Sequence, residues 1–232
     1  MKIIVIGSEG QTGKAIYNLA KTRYDKVIGI DKTQDNTRTK NKEHTNIMHV
    51  CIPYSIDFEN IVKQYQRQFK PEITIIESTV PPGTTQKLGA VHSPIRGKHP
   101  FLLPDIKRQV KFVGADTPQQ AKKVMEYYAS LGLRAHKAKN SRTTETIKLL
   151  NTSYYGLMIA WWKEMLEYCE HHDADYQDLK KFIETTNQYN PRPIFTPPVN
   201  GFGGHCVWEN AVMLNKTKKS KFLEGVIDVG KM

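Results

Sequence analysis

Residues 1–31 contain the feature that most constrains the fold. Ile3 to Ile6 form a continuous β-branched run, which favours a buried strand. A glycine-rich segment follows directly, and the spacing of apolar residues predicts a helix from about Gln11 to Thr22. A second apolar run then ends in Asp31. This order predicts two parallel strands joined by a helical crossover, because parallel strands need a long connection.

The same alternation continues to about residue 140. Further strands are predicted around 47–52, 72–77, 110–113 and 133–136, and helices around 58–69 and 117–130. Repeated βα units bury a parallel sheet between two layers of helices. The sequence therefore predicts an α/β protein with a Rossmann-type doubly wound, mostly parallel sheet.

The segment after the first strand has the composition of a phosphate-binding loop. Gly7, Gly10 and Gly13 carry no side chains, so the backbone can turn tightly and approach a ligand. Gln11 and Thr12 lie at the start of the predicted helix, where backbone N–H groups and the positive helix end favour a pyrophosphate. These five residues are predicted to hold the phosphates of a dinucleotide.

Asp31 ends the second predicted strand. A carboxylate there accepts hydrogen bonds from the ribose of NAD and repels the 2′-phosphate of NADP, so NAD is the expected cofactor. The adjacent Lys32 weakens that preference. The GxxGxxG spacing also leaves open the short-chain dehydrogenases, whose Tyr-x-x-x-Lys pair matches Tyr176 and Lys180 in spacing. A chance match is favoured for this pair, because no strand carrying a serine precedes it.

After residue 140 the pattern becomes helical. One long helix is predicted from Thr143 to about His172, where no proline occurs and apolar residues recur every three or four positions. Shorter helices are predicted at 175–186 and 210–217, with a proline-rich loop between them. We therefore predict two domains, a dinucleotide-binding domain at 1–140 and an all-helical domain at 141–232.

Composition and charge exclude several classes of protein. The formal net charge of +11 favours small anionic partners such as a nucleotide or sugar phosphate, whereas nucleic acid is disfavoured because the basic clusters lack interleaved aromatic residues. No run approaches the roughly 18 apolar residues of a membrane span. The N-terminus lacks a signal peptide, so a cytoplasmic protein is expected. Three widely spaced cysteines argue against a disulfide framework and a metal knuckle, and no metal is expected.

A glycine-rich turn near the C-terminus, Gly201–Cys206, contains one of the three cysteines. Three glycines within four positions would let a substrate approach the Cys206 thiol. The prolines before it predict a stiff loop, and loops carry a large share of functional residues. A loop that only closes between two helices remains an equal alternative from composition alone.

Lys148 and Asn151 occupy one face of the long predicted helix. An ammonium and an amide there could stabilise a developing alkoxide. Taken alone, the pair is more simply explained as solvated helix surface.

The order of these motifs resembles the UDP-glucose/GDP-mannose dehydrogenase family. Besides the glycine loop, the resemblance rests on Glu77–Thr84, His92–Pro94, Glu145–Asn151 and Gly203–Cys206. The Gly-Gly-His-Cys segment is most similar to members acting on UDP-N-acetylmannosamine. The resemblance covers nearly the whole chain and implies an NAD domain followed by a helical substrate and dimerisation domain. It does not extend to the family's third domain, which binds the nucleotide of the substrate.

The resemblance also implies a reaction. Members oxidise a nucleotide-sugar alcohol twice with two NAD, so Cys206 would attack the aldehyde intermediate and form a thioester that water hydrolyses. Lys148 and Asn151 would stabilise the alkoxide and oxyanion. Thr79 and Glu145 would lie at the nicotinamide end of the cofactor.

The resemblance assigns further residues to the substrate and to assembly. Gly203, Gly204 and His205 would contact the substrate beside the thiol. A homodimer formed through the long helix is implied, and the aromatic residues on several faces of that helix also suit an interface.

Departures from the family pattern define what this chain could do differently. Asn210 stands where the family has an aspartate, with Glu209 beside it as a substitute that could activate water. The interval from Lys148 to Asn151 is one residue short. Ile95 stands where a glutamate is expected.

The basic segment around Ile95 suits an anionic substrate. His92, Arg96, Lys98 and His99 are the candidates for binding its phosphate or carboxylate. Two functions therefore compete: an NAD-dependent oxidoreductase, and a non-catalytic NAD-binding or scaffold module derived from the same family.

Overall fold

The computed structural model describes residues 1–32, 44–97, 102–189 and 205–230, and only the backbone of His205 and Cys206. Its contacts divide the chain into two compact units, Met1–Lys148 and Leu149–Met232, which we describe separately. The sequence-based domain boundary at 140/141 lies eight residues before this division and stays a prediction.

A parallel sheet forms the centre of the first unit. Its strands are β1 (Ile3–Ile6), β2 (Val27–Ile30), β3 (Thr45–Val50), β4 (Pro71–Ile76) and β5 (Val91–His92). They pair in the order β2-β1-β3-β4-β5, and every pair is parallel. The strand order reverses between β1 and β3. In doubly wound sheets, ligands bind at this point of reversal, beyond the carboxyl ends of the strands. The predicted α/β fold is confirmed.

Helices cover the sheet on both sides. The described helices of this unit are α1 (Gln11–Lys21), α2 (Phe58–Phe69), α3 (Thr84–Lys87), α4 (Leu102–Arg108) and α5 (Pro118–Ser130). Two short parallel strands, β6 (Lys111–Val113) and β7 (Ala135–Lys137), form a second sheet. An antiparallel bridge between His92 and Gly114 connects β5 to the end of β6.

Alternation along β1 explains why both faces need covering. Ile3 and Val5 belong to the apolar cluster that includes residues of α1, α4 and α5. Ile4 and Ile6 belong to the cluster on the other side, with residues of α2. A strand buried on both faces has to be apolar at every position, as this run is.

Three short elements of the first unit were not predicted from the sequence. These are α3, β5 and α4. The first two are too short to show periodicity. In α4, Pro104 is the third residue, and a proline in the first turn of a helix blocks no hydrogen bond. The segment therefore folds as a helix although its proline favours a break.

The turn after β1 depends on glycine at two positions. Gly7 has φ +83°, and a β-carbon on it would lie 2.8 Å from the carbonyl oxygen of Cys51. A β-carbon on Gly13 would lie 1.9 Å from the carbonyl oxygen of Gly7. The first turn of α1 thus packs directly on the backbone that ends β1, and no larger residue fits at Gly13 without moving that backbone.

A buried histidine connects β5 to the residues around it. His92 is fully buried; its Nε2 donates to the carbonyl oxygen of Ser78 at 3.2 Å, and its Nδ1 lies 2.8 Å from Oγ1 of Thr144. Because the carbonyl can only accept, the neutral ring carries its proton on Nε2 and Nδ1 accepts from the threonine. Burial lowers the pKa of His92 to about 3, and the Ser78 hydrogen bond offsets this only in part.

The second unit is helical. The long helix α6 (Ser141–His171) runs into it from the first unit and confirms the predicted helix. Three more elements follow in the described residues, α7 (Tyr176–Tyr189), α8 (His205–Thr217) and α9 (Lys221–Val229). The prediction that the third helix begins at 210 was wrong, because α8 begins at His205, and α9 was not predicted.

Packing explains the earlier start of α8. Val207, Ala211 and Leu214 are buried at helical spacing, so the buried stripe begins before residue 210. The indole of Trp208 donates to the carbonyl oxygen of Ile227 at 3.1 Å and fixes α8 against α9. Within the described ranges, no helix has the length and apolar character that a membrane crossing needs.

We predict that Gly13→Ala destabilises the first unit. The added methyl group would overlap the Gly7 carbonyl, and overpacking of this kind costs about 3 kcal/mol in the free energy of unfolding. Gly225→Ala is the matched control, because it lies in α9 with open space around it. That substitution should stabilise by up to about 1 kcal/mol. Equal urea midpoints for Gly13→Ala and the wild type would contradict the packing argument.

We predict that His92 makes stability depend on pH in the acidic range. Its folded pKa lies below the unfolded value near 6.5, so the unfolded chain binds more protons and stability falls as pH drops below that value. The contribution lost between pH 7 and pH 5 is about 2 kcal/mol. His92→Gln should flatten the pH dependence of urea unfolding over this range. Substitution of the exposed His136 should leave it unchanged, and equal slopes for both variants would refute the assignment.

Candidate functional site at the carboxyl edge of the sheet

The glycine loop presents main chain and a helix end at this edge. Gly10 caps α1 with φ −67° and ψ 156°, no side chain caps the helix, and its first turn holds no acidic residue. The amide of Gly10 donates to the carbonyl oxygen of Gly7 at 3.2 Å, which closes the turn. A helix end without a capping side chain, and without an acidic residue in its first turn, suits a pyrophosphate. Gly7, Gly10, Gln11, Thr12 and Gly13 therefore fit a dinucleotide.

Asp31 lies just beyond the end of β2 and contacts the glycine loop. Its Oδ2 accepts from the amide of Glu9 at 3.1 Å, and its Oδ1 accepts from the amide of Lys32 at 2.8 Å. These contacts hold the carboxylate beside the loop, at the position where a dinucleotide's ribose lies in folds of this type. The role of Asp31 in holding the ribose stays a prediction.

A buried ion pair lies where β4 ends. Nζ of Lys111 donates to Oε2 of Glu77 at 2.6 Å, and the side chains are 4% and 0% exposed. Oε1 of Glu77 also lies 3.0 Å from Nδ1 of His49 and accepts from the Tyr128 hydroxyl at 3.2 Å. Burial alone would raise the pKa of Glu77, but the Lys111 ammonium and the His49 hydrogen bond outweigh it, and the pKa lies below its usual value. Glu77 is therefore a carboxylate.

Lys148 is half-buried at the end of the first unit. Its Nζ donates to the carbonyl oxygen of Ile95 at 2.9 Å. Ile95 follows β5, and its amide donates to the carbonyl oxygen of Glu77 at 3.4 Å. The ammonium of Lys148 is thus held at the carboxyl edge of the sheet, near the end of β4.

Four residues were expected to bind a substrate anion, and the structure describes two of them, His92 and Arg96. His92 is buried with both ring nitrogens engaged, and its lowered pKa keeps it neutral, so it does not fit that role. Arg96 donates to the carbonyl oxygen of Val110 at 2.6 Å, and its guanidinium lies 5.1 Å from the Phe112 ring centroid. Lys98 and His99 lie outside the described residues.

Thr79 and Glu145 were both expected at the nicotinamide end. Thr79 follows β4 and is half-buried. Glu145 is fully buried; its two carboxylate oxygens accept from the amides of Gly83 at 2.6 Å and Thr85 at 2.7 Å. Its carboxylate therefore fixes the start of α3, and this burial does not fit direct contact with a cofactor.

In the second unit the expected catalytic residues are partly described. Asn151 is exposed on α6, Glu209 is exposed on α8, and Asn210 is buried. Cys206 is the second residue of α8, and the structure describes its backbone alone, as it does for His205. Gly203 and Gly204 lie outside the described residues.

The alternative pair Tyr176 and Lys180 has a structural explanation. The Tyr176 ring packs edge-on against Trp162 at 5.5 Å between ring centroids, and Lys180 lies 3.9 Å from Glu184 on the same helix. Both contacts are ordinary for helix packing and for a solvated helix face.

Sequence reasoning missed Lys111 and His49. Each is a titratable residue within a short apolar strand, and such residues are rarely buried unless they are paired. That signal was present in Lys111-Phe112-Val113 and in Met48-His49-Val50, but it does not identify the partner.

Comparison with known proteins agrees with this architecture. Residues 142–228 match the central domain of the UDP-glucose/GDP-mannose dehydrogenase family. The chain is 26% identical over 222 residues to UDP-N-acetyl-D-mannosamine dehydrogenase of Methanococcus vannielii, covering 84% of this chain and 50% of that protein. It is 22% identical over 225 residues to the enzyme of that name from Pyrococcus horikoshii, covering 86% and 53%. The chain thus spans about half the length of the curated relatives it matches.

Solved structures show the same fold. UDP-D-ManNAc dehydrogenase from Pyrococcus horikoshii superimposes with a TM-score of 0.83 at 19% identity, over 100% of this chain and 68% of that one. A UDP-glucose dehydrogenase from Pyrobaculum islandicum gives 0.80 at 14% identity, over 99% and 68%. The homologues are nucleotide-sugar dehydrogenases. By its central-domain match and these relatives, the chain is similar to the UDP-glucose/GDP-mannose dehydrogenase family.

Proposed function

We propose that the protein is an NAD-dependent dehydrogenase that oxidises an alcohol of an anionic, nucleotide-sugar-like substrate. The glycine loop carries this proposal, because its backbone packs on β1 so closely that a β-carbon at Gly13 would overlap Gly7. The uncapped end of α1 would hold the pyrophosphate, and Asp31 would hold the ribose. NAD, when bound, accepts the hydride removed from the alcohol carbon.

Lys148 acts in the first oxidation. Its ammonium stabilises the negative charge that develops on the substrate oxygen as the proton leaves and the hydride departs. Asn151, one turn further along α6, is proposed to assist as a hydrogen-bond donor. The hydrogen bond from Lys148 to Ile95 supports this role, because it holds the ammonium at the edge where the cofactor fits.

Cys206 acts in the second oxidation. Its thiolate would add to the aldehyde carbon to give a thiohemiacetal, and loss of a hydride, for which bound NAD would be the acceptor, would leave a thioester on Cys206. Water then releases the carboxylic acid and the thiol. The position of Cys206 in the first turn of α8 supports this role, because backbone N–H groups there favour negative charge. Glu209 is the candidate for activating the water, with Asn210 beside it.

A substrate related to UDP-N-acetylmannosamine is the first choice. The curated relatives in the comparison carry that name, and the net charge of +11 favours an anion. Arg96 is the described candidate for contacting its phosphate. Lys98, His99, His205, Gly203 and Gly204 remain proposed contacts from the sequence.

A non-catalytic NAD-binding module is the second candidate. Asn210 replaces the acid expected at that position and is buried, with 6% of its surface exposed. An amide cannot take a proton from water, so hydrolysis of a thioester would depend on Glu209. A protein that retained the cofactor site without turnover would have this combination.

We further propose that the protein forms a homodimer through α6. In the second unit, Trp162 of α6 is buried, but the other aromatic side chains of this helix are exposed, including Trp161 at 53% and Tyr168 at 59%. Exposed aromatic residues along one helix are typical of an interface. A second copy of the chain would bury them.

We predict that Lys148→Met abolishes most NADH formation and that Cys206→Ala limits it to the first oxidation, with one NADH per substrate instead of two. With UDP-N-acetylmannosamine as substrate, Lys148→Met should lower kcat/KM by roughly 10²- to 10³-fold, because it removes charge stabilisation of the alkoxide. Cys206→Ala should prevent the second hydride transfer. Both variants should bind NAD with wild-type affinity in a calorimetric titration.

Cys169→Ala is the matched control for the thiol, because Cys169 is a buried free cysteine of the same unit. It should retain activity. Wild-type rates in Cys206→Ala would exclude the covalent step. Wild-type protein that binds NAD but yields no NADH with any nucleotide sugar would favour the non-catalytic module.

We predict that Trp161→Glu converts a dimer to a monomer. A charge on the exposed face of α6 would be desolvated by a second copy, which opposes association. Sedimentation velocity should give the dimer mass for the wild type and the monomer mass for the variant. Ile56→Glu is the control, because Ile56 is 95% exposed in the other unit. A monomeric wild type would refute this assembly.

A further inference from the structure

The ammonium of Lys111 connects two segments that follow neighbouring strands. It donates to Oε2 of Glu77, beyond β4, at 2.6 Å, and to the carbonyl oxygen of Ser93, beyond β5, at 2.7 Å. It also lies 5.4 Å from the centre of the Tyr128 ring. The side chain is 4% exposed, so these contacts form out of water, where charged hydrogen bonds are strong.

The same two segments are joined through their backbones. The amide of Ser93 donates to the carbonyl oxygen of Ile76 at 2.9 Å, and the amide of Ile95 donates to that of Glu77 at 3.4 Å. The second bond is long, so the ladder weakens at Ile95. Lys111 donates a hydrogen bond to the carbonyl oxygen of Ser93, which lies two residues before Ile95. This contact limits how far the Ile95 carbonyl can move.

Lys148 depends on the position of that carbonyl. Its Nζ donates to the Ile95 carbonyl oxygen at 2.9 Å. A continuous path of contacts therefore runs from the Glu77–Lys111 pair through Ser93 and Ile95 to the ammonium of Lys148. All of these residues belong to the first unit.

We propose that Lys111 and Glu77 are positioning residues for Lys148: their buried pair fixes the Ser93–Ile95 segment, whose carbonyl orients the Lys148 ammonium. The expected effect on kcat rests on the proposed dehydrogenase function, but the expected effect on the position of the Lys148 ammonium does not. Neither Lys111 nor Glu77 needs to touch substrate or cofactor.

Stability alone is the competing explanation for this pair. Replacing a buried ion pair with uncharged residues of similar size is often neutral or stabilising, whereas removing one partner is strongly destabilising. A double substitution therefore separates folding from positioning. In Glu77→Gln with Lys111→Met no buried charge is left unpaired, but the thioether that replaces the ammonium cannot donate to the carbonyl oxygen of Ser93.

The test is the acylation rate of the Lys148 amine in the full chain, measured by pulsed labelling with acetic anhydride and mass spectrometry. The double variant should label Lys148 about threefold faster than the wild type, because the amine loses part of a charge-assisted hydrogen bond. Lys123→Met is the matched control, since it breaks an exposed ion pair with Glu72 at 2.9 Å. It should leave Lys148 labelling unchanged.

Kinetics provide a second readout with UDP-N-acetylmannosamine and NAD. A displaced Lys148 should lower kcat by about tenfold and change KM little, because the lost interaction belongs to the transition state. Wild-type labelling and wild-type kcat in the folded double variant would overturn the proposal. Altered labelling in a protein whose wild type forms no NADH would support positioning and reject the dehydrogenase function.

If the double variant does not fold, Lys111→Arg distinguishes positioning from a role in stability alone. Arginine keeps a positive charge opposite Glu77, but its larger planar fork shifts the donors from the position of the single nitrogen that bridges Glu77 and Ser93. Positioning predicts altered Lys148 labelling in this variant. A pair that serves only stability predicts wild-type labelling, and that result would reject the proposal.

Discussion

The buried carboxylate of Glu77 joins the end of β4 to three other parts of the first unit. A buried charge without a partner costs several kcal/mol, so an ammonium and hydrogen-bond donors have to reach it. Lys111 supplies the first from β6, and His49 and Tyr128 supply the others from β3 and α5. This requirement explains why Lys111, His49 and Tyr128 direct polar atoms into the interior of the unit.

Much of the fold follows from local sequence. The strand Ile3–Ile6 and the helix Phe58–Phe69 agree with prediction at both ends, because a β-branched run and a strong helical period need no distant information. Lys111 shows the limit. A lysine in a short apolar strand indicates a buried and paired side chain, but its charged partner, Glu77, lies 34 residues away in the sequence. Such pairing is a property of the fold, and sequence spacing does not show it.

In the candidate site, too, some features follow from local sequence and others depend on the fold. The proximity of the glycine loop and Asp31 was predictable because a single βαβ unit, β1-α1-β2, brings them together. Glu145 was expected near a cofactor, but its carboxylate binds two amides at the start of α3 instead. His92 was expected to meet an anion, but it is a neutral, buried link between segments. Both residues lie in the expected motifs, but because their side chains are buried, they bind other parts of the protein instead of a ligand.

The distribution of charge at this edge explains why Lys148 suits an anion. Glu77 is neutralised by Lys111, and the negative charge of Glu145 is stabilised by two backbone amides. The partner of Lys148 at Ile95 is an uncharged carbonyl, at the position where the family resemblance leads to a glutamate. A carbonyl orients an ammonium without cancelling its charge. In the proposed reaction, this oriented ammonium would stabilise the charge of the developing alkoxide.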